Sequence, residues 1–419
     1  MKDETTKELL ERSDGQGRSI DQKIFTPGVL LFRILLGCAG KLVRYGNMHF
    51  HLRDEDRMSL GDGKGQPVEI YINRLHGLLR ILLNPGLATG ETYVDGDWDV
   101  GEAQLARFIG YLLVNEAYVE DLAPVRILSG LRDMAEQVLR ANDARLSREN
   151  AAHHYDLGND LYEAFLDDEM VYSCAFFTPE AQGLEAAQRN KVETTLDRLQ
   201  VEPGMRVLDI GCGWGAMTRA IARRDARADG ITLSAEQAAW AEQHMPTSTR
   251  GRIFYRLQDY RHHAEENPEA YDRVVSIGMF EHVGRRHFVD YYKAINRMLK
   301  PGGRALVHSI IKPTRSRTNA WIAKYIFPGG RIPRLDDMTF SARAAGLVLP
   351  HAPFVHEGRQ YATTLRHWRK RFNENFALLD HKRYDERFRR LWNFYLAGSE
   401  AAFDAIGYQV AQVVVDKPA

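Results

Sequence analysis

From residue 206 onward the apolar positions alternate between two spacings. RVLDIGC (206–212), ADGITLS (228–234), RIFYRLQDY (252–260), YDRVVSIGMF (271–280) and GGRALVHSII (302–311) are short apolar runs of strand length. Between them GAMTRAIARRD (215–225), AEQAAWAEQHM (235–245) and HFVDYYKAINRML (287–299) carry apolar residues at helical spacing. Strand–helix alternation of this kind predicts an α/β fold with a doubly wound parallel sheet. The segment 361–406 reads as helical, aromatic and basic.

The N-terminal third follows a different pattern. Residues 29–45 read as an amphipathic helix, HFHLRD (49–54) and PVEIYIN (67–73) as strands around the turn segment GDGKGQP, and Ala103–Asn115 as a second helix. These elements predict a smaller α+β domain. SGLRDMAEQVLRANDARLSREN (129–150) has the polarity of a linker, and no internal repeat is present. The expected division is a flexible N-terminus over 1–25, an α+β domain over 26–145 and the doubly wound domain over 146–419.

Composition narrows the class. With 44% hydrophobic and 27% charged residues and a formal net charge of +0, the 419-residue chain has a folded protein's balance and lacks the basic excess of a nucleic-acid binder. Cys38, Cys174 and Cys212 have no paired spacing, which argues for a reducing compartment and against a disulfide framework or a structural metal site; no metal is expected. The first residues show no basic, then apolar, leader pattern. The apolar stretch 29–43 contains Arg33 and Lys41 and falls short of the ~20 residues a bilayer span needs. Contact with lipid is therefore expected from the membrane surface.

The sharpest motif is VLDIGCGWG (207–215). Gly211, Gly213 and Gly215 follow a strand and open a helix, where doubly wound folds bind ligands and the helix N-terminus favours an anion. A dinucleotide loop would read GxGxxG with an acidic residue roughly 20 positions on. Here the third glycine comes one residue early and Asp209 precedes the loop. This DxGxGxG form resembles the first motif of class I methyltransferases, which implies a Rossmann-like sheet and S-adenosylmethionine as ligand. The second strand ends at GITLS without a carboxylate, leaving Thr232 and Gln237 as polar contacts for the ribose. Asp259 stands after the third strand as an acceptor for the adenine amino group or, equally, as a helix cap.

Further segments point to one family. HHYDLGNDLYEAFLDDEMVYSCAFF (153–177), GITLSAEQ (230–237), SIGMFEHVG (276–284), KYIFPGG (324–330), YATTLRHW (361–368) and FYLAGSEAAF (394–403) resemble the cyclopropane-fatty-acyl-phospholipid synthases and the mycolic acid cyclopropane synthases. TGETYVDGDWDV (89–100) resembles the N-terminal domain of the longer bacterial members. The resemblance implies transfer of the methyl carbon of S-adenosylmethionine to the cis double bond of an unsaturated phospholipid chain. Ring closure would follow, through a carbocation deprotonated by bound bicarbonate. It also implies helical insertions that bind the acyl chain. The site residues it implies are Cys174, Glu281, His308, the backbone at Ile310, and Tyr361 for the reaction. Tyr172 and Ser173 would close over the methionine end of the cofactor, and His154, Tyr155 and Asp156 would lie on a covering segment. Each has a plainer reading: Cys174 as a small buried residue, His308 as a satisfied core histidine, Tyr361 as packing, Glu281 with His282 as helix-terminus hydrogen bonds.

A cytoplasmic enzyme docked on the inner face of the membrane follows from that reading. Residues 366–390 hold nine Lys/Arg against four Asp/Glu, interleaved with Trp368, Phe372, Phe376 and Phe388. Such basic residues contribute about 1 kcal/mol each near an anionic surface. The alternative is a solvated helix whose aromatic face packs inward. Residues 29–45 are open to lipid contact or to homodimer formation. Gln360, Arg334, Arg315 and Arg317 depart from the family pattern at positions that bear on substrate identity. Methylation of the acyl chain without ring closure is the alternative activity.

Overall fold

The computed structural model describes residues 27–52, 56–120, 157–249, 252–314 and 318–419. The expected flexible terminus, the linker 129–150, His154, Tyr155, Asp156, Arg315 and Arg317 lie outside the described residues.

The N-terminal unit is built on a four-stranded sheet. β1 (Met48–Leu52), β2 (Asp56–Leu60), β3 (Val68–Ile72) and β4 (Trp98–Val100) lie in the order β2-β1-β3-β4. Period-two alternation puts Met48, Phe50 and Leu52 on the buried face beside Val68, Ile70 and Ile72. Against this face pack Phe32, Leu35 and Leu36 of the helix Pro27–Gly40, and Leu105, Phe108 and Ile109 of the helix Glu102–Glu120. β1 pairs antiparallel with β2 and parallel with β3, so the two strands read from sequence are not a simple hairpin. β2 is an intervening strand whose polar DRMSL conceals it.

The second sheet has seven strands: β5 (Arg206–Ile210), β6 (Arg227–Thr232), β7 (Ile253–Leu257), β8 (Tyr271–Ile277), β9 (Leu299–Ile311), β10 (Phe354–His356) and β11 (Gln409–Asp416). Their order is β10-β11-β9-β8-β5-β6-β7. The first five strands in sequence, β5 to β9, pair in parallel, whereas β11 and β10 add antiparallel on the edge beyond β9. The strand order reverses between β5 and β8, the switch point at which open α/β sheets bind ligands. Leu208, Ile210 and Val274 face a core shared with Tyr291 and Ile295 of the helix Phe288–Met298. Val207, Val275 and Leu306 face Leu196 of the helix Leu184–Leu199 and Ile221 of the helix Ala216–Arg223 on the other side.

The C-terminal region expected as one long helical stretch is two helices, Gly358–Asn375 and Glu386–Ala405. They join the two units. Arg390 donates to the Tyr93 carbonyl (2.6 Å), the Trp98 carbonyl (2.9 Å) and Asp99 (2.7 Å), and Arg369 donates to the Glu102 carbonyl at 2.7 Å. Gly90 lets Trp321 and Phe394 pack against the N-terminal unit, since a Cβ there would sit 2.5 Å from the Trp321 ring. Trp368, Phe372 and Phe376 are buried. The aromatic face of 366–390 is therefore core rather than a lipid-facing surface.

Candidate active site

β5 ends in the glycine loop. Gly211, Gly213 and Gly215 have φ of +78°, +54° and +83°, the left-handed region that favours glycine. At Gly215 space forbids a side chain as well, because a Cβ would lie 2.2 Å from Tyr255 Oη. The amides of Gly211 and Cys212 donate to the Ile231 carbonyl at 2.8 and 3.0 Å, fixing the loop to β6.

A cavity opens over this loop. Tyr172, Ser173, Asp209, Gly211, Gly213, Thr232, Gln237 and Asp259 all line it, while Gly215 lies behind the loop. Thr232 Oγ1 donates to Gln237 Oε1 (3.1 Å), and Ser234 caps the helix Ala235–Gln243 by accepting from the Gln237 amide. Asp259 caps the helix Tyr260–Glu266 and takes the Nε and Nη2 of Arg261, each at 2.8 Å. Burial alone would raise its carboxyl, but Arg261 outweighs burial and holds it below the ordinary value. The cap expected as the plainer role is thus present, and the same carboxylate borders the cavity.

Lys191 also lines the cavity, and nothing in the sequence reading singled it out. It is only 1% exposed and donates from Nζ to Ser173 Oγ at 2.9 Å. Burial pulls the ammonium down, opposed by Asp167, Cys174 and Asp209. Burial pushes the Asp209 carboxyl up, and Lys191 opposes that shift. Lys191 belongs to the helix Leu184–Leu199, whose Lys191, Thr195 and Arg198 share one face at i, i+4 and i+7 spacing.

Cys174, Glu281, His308, Ile310 and Tyr361, expected for the reaction, are not among the residues that line this cavity. Glu281 sits in a single helical turn after β8, and its Oε1 accepts from the Ile310 amide at 2.7 Å. Among the described residues its Oε2 is buried with no hydrogen-bond partner. Burial raises its carboxyl to about 7, against the lowering effect of Ile310 and Ser309. The Ile310 N–H, expected to face a small anion directly, is thus committed to Glu281. His308 is buried two residues earlier on β9; its Nδ1 lies 3.2 Å from Gln412 Nε2 and its ring stacks on Phe176. Burial pushes this imidazole well below its ordinary range, so the ring is neutral. Cys174 is fully buried, and burial drives its thiol far up. It is held as the neutral thiol, without a thiolate's basicity or nucleophilicity.

The helix Gly358–Asn375 holds the segment that carries Cys174. Tyr361 packs on Phe403 with ring centroids 4.6 Å apart. Thr364, one turn on, accepts from the Ala175 amide at 3.1 Å. Gln360 clamps Phe177, accepting from its amide at 2.7 Å and donating to its carbonyl at 3.1 Å. Tyr172 is held by a 2.7 Å hydroxyl–hydroxyl bond to Tyr395, and its ring lies 5.1 Å from Trp368 and 6.0 Å from Phe165. Arg334 is occupied at the start of the helix Leu335–Ala344, where its amide donates to Asp337 at 3.1 Å.

The structure therefore gathers every cofactor candidate but Gly215 around one cavity and links Glu281 to Ile310. Sequence reading missed Lys191, Thr364 and Gln412. The Lys191, Thr195, Arg198 spacing was the available signal for the first of these.

Comparison with known proteins points the same way. The family model described as mycolic acid cyclopropane synthetase matches residues 142–413. The chain is similar to the cyclopropane-fatty-acyl-phospholipid synthase of Escherichia coli (strain K12), at 36% identity over 84% of this chain and 88% of that protein. It is equally similar, at 36% over 87% of each, to the tuberculostearic acid methyltransferase UfaA1 of Mycobacterium tuberculosis. Among solved structures, the mycolic acid cyclopropane synthase CmaA1 complexed with SAH and CTAB superposes with a TM-score of 0.58 at 31% identity, covering 64% of this chain and 98% of that one.

Proposed function

Since the chain belongs to the mycolic acid cyclopropane synthetase family, and is an S-adenosylmethionine-dependent methyltransferase of the class I fold, we propose that it cyclopropanates the cis double bond of unsaturated phospholipid acyl chains with the help of bound bicarbonate. The observation that carries this reading is Glu281. Its carboxyl has one oxygen tied to a backbone amide and the other buried without a partner among the described residues. Buried polar atoms are rarely left so, and a small hydrogen-bonding anion is a guest that would satisfy it. Raised to about 7, this carboxyl is able both to accept the anion's hydroxyl and, protonated, to donate to it.

When bound, S-adenosylmethionine supplies an electrophilic methyl group and bicarbonate a base. The chain's own residues supply the rest. Gly211 and Gly213 let the backbone approach the cofactor, and Ser173, Asp209, Thr232, Gln237 and Asp259 offer polar groups around the same cavity. Cys174, Glu281, His308 and Tyr361 are assigned to the anion. An alkene is a weak nucleophile, so orientation in a water-poor site carries much of the rate. The ring of Tyr172, which lines the cavity and is backed by Trp368 and Phe165, provides a face that would stabilise a developing cation without capturing it. Burial keeps Cys174 as a thiol, a weaker nucleophile than its thiolate would be.

Among the described residues no helix is long and apolar enough to cross a membrane. Access to lipid from the surface is supported by the helix Pro27–Gly40, which leaves Leu30, Leu31 and Ile34 exposed. A second reading, methylation without ring closure, is favoured by the equal identity to the tuberculostearic acid methyltransferase. Mass spectrometry of monounsaturated phospholipid vesicles incubated with the protein, S-adenosylmethionine and bicarbonate separates the two. A one-methylene gain in a product that resists hydrogenation establishes the ring. The same gain in a product that takes up hydrogen establishes methylation alone, and no gain overturns both.

A further inference from the structure

Gln412 is wholly buried on β11, directly opposite His308 in the antiparallel register with β9. A carboxamide has one accepting and one donating end, told apart by its partners. Here two partners decide independently. Arg198 Nη1 lies 2.5 Å from Gln412 Oε1, and a guanidinium only donates. Thr195 gives its own proton to the Lys191 carbonyl at 2.7 Å. Toward Gln412 Nε2, 2.9 Å away, it therefore accepts. Both contacts leave the second amide N–H of Gln412 for His308 Nδ1, 3.2 Å away. A nitrogen that accepts this N–H carries no proton of its own. The same Nη1 also donates to His356 Nε2 at 3.0 Å, and the guanidinium lies 3.8 Å from the Phe354 ring centroid.

We propose that Gln412, oriented by Arg198 and Thr195, is a positioning residue that holds His308 as the neutral tautomer protonated at Nε2. The ring then offers its remaining nitrogen as a hydrogen-bond donor and has no lone pair free to take a proton. If His308 acts on a bound anion, which rests on the function proposed above, this tautomer donates a hydrogen bond to the anion and does not itself take up a proton, which leaves the anion as the proton acceptor toward the substrate.

Nitrogen-15 imidazole spectra of the full chain, labelled at histidine and with His308 assigned by signal loss in His308→Asn, test this directly. The expected wild-type pattern is a protonated Nε2 and a bare Nδ1. Gln412→Glu turns an acceptor toward Nδ1, so His308 should gain a proton there. Turnover on monounsaturated phospholipid should fall on the order of 100-fold, with S-adenosylhomocysteine affinity unchanged. A wild-type His308 protonated at Nδ1, or a His308 spectrum that Gln412→Glu leaves as it was, overturns the proposal. The wild-type spectrum decides even if the variant fails to fold. The expected tautomer in a chain that turns over no lipid would sink the catalytic reading of the site and leave the tautomer assignment standing.

Discussion

Glu281→Gln should make the protein more stable and nearly inactive. The amide is isosteric and its oxygen still accepts from the Ile310 amide, so the substitution removes the ionisable group and little else. In the folded chain burial raises the Glu281 carboxyl from 4.5 to about 7. A carboxyl whose folded value is raised binds its proton more tightly in the folded state. Its contribution to stability is fully present below pH 4.5 and is lost as pH rises through about 7. At 1.36 kcal/mol per pKa unit the loss amounts to about 3 kcal/mol. Glutamine has no such loss, so the stability gap between variant and wild type should widen by about 2–3 kcal/mol from weakly acid to weakly alkaline pH. Urea unfolding followed by tryptophan fluorescence across that range measures the gap, with all other titrations common to both proteins. Turnover should fall on the order of 100-fold over the same range. Parallel stability curves for the two proteins would refute the assignment of Glu281 as a buried carboxyl held for a ligand, and a variant that turns over lipid normally would refute its role in the reaction.

Gly215→Ala should lower stability by about 2–3 kcal/mol, combining a left-handed conformation with displacement of Tyr255 from its 2.7 Å bond to Thr218; thermal unfolding reads this, and an unchanged midpoint would contradict the close approach at that glycine. Lys191→Met should weaken S-adenosylhomocysteine binding by roughly tenfold, because Ser173 loses its 2.9 Å donor and Asp209 loses the cation opposing its protonation. Titration calorimetry decides, and undiminished affinity would remove Lys191 from the binding site.

The central sheet was legible because its strands are buried on both faces and separated by helices with a clear period, so RVLDI, YDRVV and RALVHSII stand out as apolar runs. β2 was not, since only Met58 and Leu60 interrupt its polarity. β11 was hidden for a different reason. QVAQVVVD adds antiparallel at the edge, outside the strand–helix alternation that located the others, so Gln412 could not be brought to His308 from sequence. The cofactor candidates were legible because one loop and two strand ends carry them. The partners of Glu281 were not, because the bond to Ile310 joins residues 29 apart and depends on register. The basic aromatic segment shows the reverse failure. Its composition fits a membrane surface, yet Trp368 and Phe372 are fully buried and Arg369 and Arg390 bind the N-terminal unit.

The helix Leu184–Leu199 explains how two ends of the site are kept in one geometry. Three residues on a single face serve both: Lys191 grips Ser173 at the cofactor cavity, while Thr195 and Arg198 orient Gln412 toward His308. Because helical rise is 1.5 Å per residue, seven positions set these contacts about 10 Å apart on a rigid scaffold. The adjoining stripe of the same helix packs Leu196 and Val192 into the sheet core. Movement of this helix would therefore disturb the cofactor wall and the histidine together. A loop could not impose that coupling, and the buried polar side chains on a packed helix are what allow one element to hold the cavity wall at Ser173 and the ring of His308 in register.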